Sequence, residues 1–464
     1  MKKFTALLLA LITLFFCAVP AFAATDGEQN FVPVIRFVAA SDTHVKEDND
    51  RTADRIPVML QTAYAAAEED DAYSKLDAVL IAGDLTDRGT KPAFDKFWRV
   101  LDGSLKDGTR FIGVVAKNHD GYEMSRRDVH EYYSSLTGND ADFHIVINGY
   151  HFIGLSASDN DATHYDSKQL GWLKEQFDKA TAENPDKPVF VTHHEHVRNT
   201  VYGSSTFDGW GVTYFTNILN QYPQVVDFSG HSHYPLNDPR SIWQGNFTAI
   251  GTGAIYYSEF TIDEFRAYDP PDCQDTGTFW IVEVDASGNM HLRGYDVDEG
   301  KQLCEYYINN PSDKANRDFT PAKQKEKSSA PEFEDGAALR KEQITDPTFD
   351  TAVVFAPVAA STDGNPVVLY RIKVKNSLGL TLMKDWVLPP YYRAIPQEEV
   401  EFSLENLPAG EYTITVTAEN AYGMQSEPLT LKTEIEGKTG FAALASMFRM
   451  FFERIKTFFE RLFS

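Results

Sequence analysis

Five short polar clusters in this sequence carry side chains that bind metal ions. They are Asp42-Thr43-His44, Gly83-Asp84-Leu85-Thr86-Asp87-Arg88-Gly89, Asn118-His119-Asp120, His193-His194 and Gly230-His231-Ser232-His233. Imidazole, carboxylate and amide groups recur in them, and no cysteine does. That donor set favours Mn, Fe, Zn or Co at a reactive centre over a structural zinc site, and it leaves the metal's identity open.

The number of candidate ligands predicts two metal ions rather than one. Two divalent ions held about 3.5–4 Å apart repel each other, so a bridging carboxylate and a bridging hydroxide are needed between them. We expect Asp84 to be the bridging carboxylate. The other ligands divide into two sets: Asp42, His44 and His233 for one ion, and Asn118, His193 and His231 for the other.

Each cluster follows or ends an apolar run that predicts a buried strand. These runs cover residues 34–40, 77–82, 111–116, 188–191 and 225–228. Helical patterns lie between them, such as 54–69 and a stripe that starts near Asp166. Ligands of open α/β sheets bind outside the carboxyl ends of the strands, so the five clusters are expected to meet in one crevice.

Together, the five clusters resemble the motifs of the calcineurin-like metallophosphoesterases. That family carries Asp-x-His, Gly-Asp-x-x-Asp, Gly-Asn-His-Asp/Glu, a single His and Gly-His-x-His, and the same blocks occur here in the same order over about residues 34–303. The resemblance implies an α/β fold of four layers (α/β/β/α), with helices outside, two sheets inside and a two-metal centre at the sheet edges.

The resemblance also implies roles for individual residues. It gives the same metal ligands as above, with Asp84 shared. His119 would protonate the leaving alkoxide or contact a phosphoryl oxygen, with Asp87 or Asp120 orienting its ring. Arg88 would grip two phosphate oxygens with its planar guanidinium. His193 and His194 both fit the single-His block, and alignment with the family favours His193.

Three positions depart from the family pattern. Lys117 stands where the family has Gly, and Glu195 stands where it commonly has Pro. Asp87 occupies the place where purple acid phosphatases have a Tyr ligand. The last departure favours the phosphodiesterase-like branch of the family.

The expected activity is hydrolysis of phosphodiesters by in-line attack of a metal-bridging hydroxide. Two alternatives are a phosphomonoesterase at the same site and a catalytically silent cell-surface binding protein. The 43 basic and 68 acidic residues give a formal charge of -25, which disfavours a nucleic-acid polymer as partner and leaves small phosphoesters as substrates.

The first residues predict an export signal. Lys2 and Lys3 precede an apolar stretch at 6–18, and Ala21-Phe22-Ala23 supplies a small-x-small cleavage site, so residues 1–23 are expected to be a signal peptide. A retained membrane anchor is the alternative. The mature protein would then be extracellular or in the cell envelope.

An oxidising compartment permits disulfides, and two cysteines remain after removal of the signal. Cys273 and Cys304 flank alternating stretches at 278–284 and 290–295 that predict a hairpin. Folding that hairpin would bring the cysteines nearly opposite each other, so we predict a disulfide between them. The alternative is two separate, half-buried thiols.

The sequence after the catalytic unit (32–305) divides into three parts. Residues 306–345 are polar and charged and predict a linker. Residues 346–436 alternate in polarity and resemble a fibronectin type III sandwich, with Tyr412 in the tyrosine-corner position after Leu407-Pro408-Ala409-Gly410-Glu411. The sandwich would space domains, bind a partner or stabilise the catalytic unit.

Residues 441–464 predict an amphipathic helix. Large apolar side chains fall on one face and charged ones on the other, and no apolar run is long enough to span a bilayer. An aromatic-rich face of this kind favours peripheral contact with an anionic membrane surface. Docking onto the protein or pairing between chains is the alternative.

Overall fold

The computed structural model describes residues 31–48, 51–160, 164–205, 210–261, 267–268, 270, 272–345, 350–405 and 407–436. The predicted signal peptide and the predicted C-terminal helix lie outside these residues. Among the helices of the described part, none has the length and apolar character needed to cross a membrane.

The first part of the chain alternates strands with helices, as the sequence predicts. In chain order the elements are β1 (Pro33–Ala40), α1 (Arg51–Glu68), β2 (Ala78–Ile81), α2 (Lys91–Asp102), β3 (Arg110–Gly113), α3 (Arg126–Thr137), β4 (Phe143–Ile147), β5 (Tyr150–Gly154), α4 (Ser167–Glu183), β6 (Val189–Val197), β7 (Gly211–Val212), α5 (Thr216–Leu219), β8 (Val225–Gly230), β9 (Ile242–Gln244), β10 (Thr248–Gly251), β11 (Phe260–Thr261), β12 (Ala267–Tyr268), β13 (Thr278–Asp285), β14 (Met290–Asp296), β15 (Lys301–Ile308) and α6 (Pro321–Lys327).

Two mixed sheets pack face to face. One has the order β15-β14-β13-β1-β2-β3 and the other β4-β5-β6-β8-β10-β9, with β1, β2 and β3 parallel in the first and β5, β6, β8 and β10 parallel in the second. Apolar side chains fill the space between the sheets. The ring of Phe37 lies 5.2, 5.1 and 5.7 Å from those of Phe152, Phe190 and Phe228 on the facing sheet. This contact is the centre of the core.

Helices cover the outer face of each sheet. Apolar residues of α1, α2 and α3, such as Leu60 and Phe97, pack on the first sheet, while Leu173 and Phe177 of α4 pack on the second. Helix α4 begins with a capping box, in which the Asp166 side chain accepts from the backbone amide of Gln169 and the Gln169 side chain accepts from the backbone amide of Asp166. The result is a mixed α/β fold in layers of helix, sheet, sheet and helix.

This arrangement brings together the carboxyl ends of the strands that precede the polar clusters. Strands β1, β2 and β3 end before the first three clusters, and β8 ends at Gly230, the first residue of the last cluster. Strand β6 differs from its prediction because it continues through His193-His194 to Val197. The fourth cluster therefore lies inside a strand.

A two-sheet sandwich follows the catalytic unit. Its strands are β16 (Arg340–Thr345), β17 (Asp350–Pro357), β18 (Val367–Asn376), β19 (Thr381–Val387), β20 (Glu399–Leu404), β21 (Gly410–Asn420) and β22 (Leu429–Ile435). They pair in the orders β16-β17-β20 and β19-β18-β21-β22. The side chains of β21 alternate between buried and partly exposed, and the Tyr412 hydroxyl donates to the carbonyl of Pro408 at 2.6 Å.

Much of the predicted linker at 306–345 is ordered structure. Strand β15 reaches Ile308, Phe319 is buried in the core between the two catalytic sheets, and α6 follows. The Arg317 guanidinium donates to the carbonyls of Pro223 and Pro311. The sandwich begins with β16 at Arg340, six residues earlier than the predicted boundary at 346.

The sandwich contacts the catalytic unit through the loop between β19 and β20. In this loop Tyr392 donates to Asp272 at 2.6 Å, Arg393 pairs with the same carboxylate at 2.9 Å, and the Ala394 amide donates to Asp296 at 3.0 Å. Both acidic residues belong to the catalytic unit. The sandwich is thus docked on that unit by a partly buried polar contact.

The predicted disulfide does not form. Cys304 lies on β15, the third strand of the meander, where it pairs with Gly294 of β14. Cys273 lies in a short 3-10 turn before β13. The predicted disulfide assumed a two-stranded hairpin with the two cysteines at its open end. Instead, Cys304 lies on a third strand, and β14 lies between that strand and β13.

Candidate metal centre

Five of the candidate ligands have left-handed backbone conformations. The φ angles are 52° for Asp42, 42° for His44, 50° for Asp84, 75° for His231 and 57° for His233. Such conformations cost energy for residues with a Cβ and persist where the surrounding structure fixes them. The strained turns direct these side chains into the crevice at the ends of the strands.

The turn after β1 is hydrogen-bonded to the turn after β2. The Asp42 amide donates to the Gly83 carbonyl and the His44 amide to the Asp84 carbonyl, both at 3.0 Å. Gly83 has φ +87°, and a Cβ there would lie 2.8 Å from Nδ1 of His194. Only glycine fits this position.

The first group of ligands consists of Asp42, His44 and His233. The Nε2 atom of His233 lies 3.2 Å from Oδ1 of Asp42 and 3.3 Å from Nε2 of His44, and the latter lies 3.6 Å from Oδ1 of Asp42. All three side chains are almost fully buried. This is the set predicted for the first ion, apart from Asp84.

The second group consists of Asp84, His194 and His231. The Nε2 atom of His194 lies 3.1 Å from both Oδ2 of Asp84 and Nδ1 of His231, and the Asn118 amide is 3.5 Å from the same His231 nitrogen. Oδ2 of Asp84 is also 3.7 Å from Nε2 of His44 in the first group. Asp84 therefore stands between the two groups, where a shared ligand must be.

His193 lies outside the cluster, so the choice of His193 over His194 is corrected. The His193 ring stacks on Phe215 at 4.0 Å, and its Nε2 lies 2.9 Å from a carboxylate oxygen of buried Asp227. Neighbouring side chains of a strand point to opposite faces, and here His193 faces the helix layer. His194 donates from Nδ1 to the Ala82 carbonyl at 2.9 Å, which leaves Nε2 to accept.

Ser41 and His196, which the motifs did not predict as site residues, support the ligands. Ser41 donates to Oδ2 of Asp42, and the His231 amide donates to the same oxygen at 2.9 Å, so Oδ1 is left for the cluster. His196 bonds Ser229 at 2.9 Å and Ser232 at 2.7 Å, beneath the last motif. His194 and His196 are two residues apart on one strand, so this spacing could have predicted that both side chains lie on the same face.

Asp120 does not orient His119, contrary to one of the predictions. Its buried carboxylate accepts from the backbone amides of Leu85, Thr86 and Ala116 at 2.9–3.1 Å. Burial and nearby Asp84 raise the pKa of Asp120 to about 6 although these amides lower it. Asp120 ties the loop after β2 to the loop after β3.

His119 lies beside the first group, with its ring centroid 4.3 Å from that of His44. Its Nδ1 donates to the backbone carbonyl of Asp87 at 2.8 Å, so the main chain of Asp87 orients the ring. The Asp87 carboxylate lies 3.8 Å from Nδ1 of His44 instead. Burial lowers the pKa of His119 from its usual value.

Arg88 does not reach into the crevice as a free clamp. Its side chain is 64 % exposed and pairs with Glu123 at 2.6 Å. To grip phosphate as predicted, Arg88 would have to break its surface ion pair with Glu123.

The cluster is electrostatically suited to cations. Burial lowers the pKa of His44, but Asp42, Asp87 and Asp84 outweigh burial and raise it to about 9. Burial and His194 lower the pKa of His231 to about 4. The carboxylates thus retain a proton on His44, which a metal ion would displace.

Several oxygens of the cluster fit metal ligation directly. Oδ1 of Asp42, Oδ1 of Asp84 and Oδ1 of Asn118 are buried without a hydrogen-bond partner. Buried oxygens of this kind are costly unless a cation or donor satisfies them. The donor set of carboxylate, imidazole and amide suits a catalytic transition metal.

A family model for calcineurin-like phosphoesterases matches residues 35–235, which hold all five clusters. Residues 35–235 form a calcineurin-like phosphoesterase domain. Enzymes of this family typically depend on two metal ions, which agrees with the two groups of ligands. The enzyme class of the domain is that of a metal-dependent phosphoric ester hydrolase.

Two curated relatives are phosphodiesterases. A probable glycerophosphodiester phosphodiesterase from Arcobacter nitrofigilis is 26% identical over 209 residues, which is 42% of this chain and 71% of that protein. A cAMP/cGMP dual specificity phosphodiesterase from Mycobacterium tuberculosis is 22% identical over 213 residues, 43% of this chain and 64% of that protein. Each match covers less than half of this chain.

Among solved structures, the purple acid phosphatase PPD1 from yellow lupin seeds is 13% identical, with a TM-score of 0.41 over 59% of this chain and 53% of that one. The Plasmodium inner membrane complex anchor GAP50 is 14% identical, with a TM-score of 0.41 over 60% of this chain and 89% of that one.

Proposed function

We propose that this protein is a phosphodiesterase with two metal ions. The observation that carries the proposal is the meeting of two ligand groups on either side of Asp84, with His119 beside them. Both relatives described above are named as phosphodiesterases, which supports diesters as the substrate class. Aspartate at position 87, where purple acid phosphatases place tyrosine, supports the same branch.

The residues present fit two ions of Mn, Fe or Zn. One ion would be held by Asp42, His44, Asp84 and His233, and the other by Asp84, Asn118, His194 and His231. When bound, such ions neutralise charge on the phosphoryl oxygens and activate water for in-line attack. The protein supplies a buried, preorganised set of ligands. Ser41 and the His231 amide hold the carboxylate oxygen of Asp42 that faces away from the cluster, and the Ala82 carbonyl holds Nδ1 of His194.

His119 acts as the general acid for the leaving oxygen. Its Nδ1 is engaged by the Asp87 carbonyl, so a proton can be given up only at Nε2. Burial lowers the pKa of the imidazole, which makes the protonated ring a stronger acid. Loss of this proton donor should affect turnover more than substrate binding.

A pair of variants tests the proposal. Asp84→Asn should remove metal and activity together, while His119→Asn should retain metal and lower kcat roughly 100-fold or more. The assay compares p-nitrophenyl phosphate, its bis-ester and a panel of alkyl phosphodiesters with Mn, Zn or Fe added, and metal content is measured on the same samples. Full activity in both variants would refute the mechanism.

The same panel separates the alternatives. A phosphomonoesterase would prefer the monoester, and a silent binding protein would turn over neither ester with any metal. The near-complete ligand set and the presence of His119 support a working enzyme over a silent one.

We also infer export and a modular organisation. The supporting observations are Lys2, Lys3, the apolar stretch 6–18 and the Ala-x-Ala site in the sequence. The Tyr412 to Pro408 hydrogen bond and the two-sheet order support a fibronectin type III-like sandwich.

The apolar face of 441–464 supports peripheral membrane contact. Deleting 440–464 should abolish cosedimentation with anionic vesicles, and unchanged pelleting would contradict the inference. Fractionation of expressing cells tests export.

A further inference from the structure

Tyr122 places an exposed aromatic ring beside the proposed acid. Among the described residues, Tyr122 and Tyr214 are the aromatic side chains with large exposure, and Tyr122 is 56 % exposed. Its ring lies 5.0 Å from that of His119, at an interplanar angle of 49°. The surface next to His119 is therefore formed by an aromatic ring.

Further rings pack in a row from His119 across the first ligand group, where His44 is buried. The His119 ring lies 4.3 Å from His44, and the His44 ring lies 5.0 Å from Tyr256. Lys46 donates to the Tyr256 hydroxyl at 2.8 Å and lies 4.7 Å from the centre of its ring. Tyr122 and Tyr256 thus flank the His119–His44 pair, and we call these four rings the aromatic ledge.

The loop that carries Tyr122 is fixed. The Glu123 amide donates to the Arg88 carbonyl at 3.1 Å, and the Arg88 guanidinium donates to the Glu123 carboxylate at 2.6 and 3.0 Å. These contacts join the Tyr122 loop to the loop after β2, which carries Asp84. Arg88 therefore holds the loop that carries Tyr122 in place.

We propose that Tyr122 is a specificity-determining residue that stacks on the aromatic ring of a leaving alcohol such as benzyl alcohol. The inference rests on the proposed function. As the oxygen of water bonds to phosphorus and the water gives up a proton to solvent, the ester P–O bond breaks and the proton of His119 passes to the departing oxygen. That oxygen must lie next to His119, so the group attached to it lies against the neighbouring ring of Tyr122.

Two diesters with similar leaving alcohols isolate the stacking. The manganese-loaded wild type should hydrolyse benzyl methyl phosphate with a kcat/KM roughly 3- to 10-fold above that of cyclohexylmethyl methyl phosphate, the range expected from aromatic pairing. Tyr122→Leu should remove this preference and leave the cyclohexylmethyl ester within about twofold of wild type, while Tyr122→Phe should keep the preference.

Tyr307→Leu is the matched control, because Tyr307 of β15 also stacks on a histidine, His291, at 4.2 Å. It should leave the preference unchanged. Equal rates for the two esters in wild type, or a preference that survives in Tyr122→Leu, would overturn the proposal.

A binding measurement separates this inference from the proposed function. Benzylphosphonate should bind roughly 3- to 10-fold more tightly than cyclohexylmethylphosphonate by titration calorimetry, and Tyr122→Leu should abolish the difference. Turnover of neither ester would refute the proposed hydrolysis, and the phosphonate preference would then decide the role of Tyr122. Equal binding of both phosphonates would overturn that role.

Discussion

Replacing His194 and His193 by asparagine, one at a time, should separate metal binding from stability. The Nε2 atom of His194 lies 3.1 Å from both Asp84 and His231, whereas His193 contacts Asp227 and Phe215. Changes to residues that only support metal ligands typically weaken binding 10- to 100-fold. Loss of a direct ligand in His194→Asn should therefore weaken it about 100-fold or more.

His193→Asn should instead destabilise the fold. The variant leaves Asp227 fully buried without the imidazole that lies 2.9 Å from it, and removal of one partner from a buried pair costs about 3 kcal/mol or more. For a domain of this size, about 3 kcal/mol lowers Tm by about 6–12 °C. Metal content per folded molecule should stay at the wild-type value.

The assay has two readouts on the same three proteins. Titration calorimetry of metal-stripped protein with Mn²⁺ or Zn²⁺ gives affinity and stoichiometry, and thermal unfolding of the stripped protein gives Tm. The double variant His193→Leu/Asp227→Leu is the control, because replacing both partners by apolar groups should restore much of the stability. Wild-type metal affinity in His194→Asn, with loss of metal in His193→Asn, would refute the assignment.

Three further outcomes are expected. Asp120→Ala should weaken metal binding by roughly 10-fold because the three amides that it fixes would be released, as calorimetry would show, and an unchanged affinity would contradict that positioning role. Burial raises the pKa of Glu283, but His291 and two arginines outweigh burial and lower this pKa to about 2. Burial lowers the pKa of His291, but Glu283 outweighs burial and raises this pKa above its usual value. The glutamate contributes stability above pH 4.5 and loses it as pH falls toward 2, and the histidine contributes below pH 6.5 and loses it as pH rises through its raised pKa. His291→Gln should therefore lower Tm most between pH 4.5 and 6.5 and least at pH values above the raised pKa of His291, and a pH-independent difference would contradict the pairing. Tyr412→Phe should cost about 1 kcal/mol in urea unfolding of the sandwich through loss of its bond to Pro408, and no change in the midpoint would contradict a tyrosine corner.

The sequence by itself determined that the five clusters would meet. Apolar runs of strand length, each with a polar cluster at or near its end, predict an α/β fold whose ligand site lies at the carboxyl edge. Asp42, Asp84 and His231 could be placed in this way because their position depends on local pattern and on a general rule of topology. The family resemblance added the role of His119.

Only the tertiary structure decided which of two adjacent histidines faces the cluster. Consecutive side chains of β6 point to opposite faces, and both faces are covered, with Phe190 between the sheets and Val191 under the helix layer. Hydrophobicity is similar on either side, so the pattern does not distinguish His193 from His194. The packing of the second sheet against the first distinguishes them.

Contacts between distant segments decided the remaining differences. Asp120 accepts hydrogen bonds from backbone amides of a loop more than thirty residues earlier in the chain. Arg88 pairs with Glu123, and β14 separates Cys304 from Cys273. Strand period and motif spacing describe one segment at a time. The partner of a side chain from another segment is fixed only when the sheets and loops pack, because that packing sets the distances.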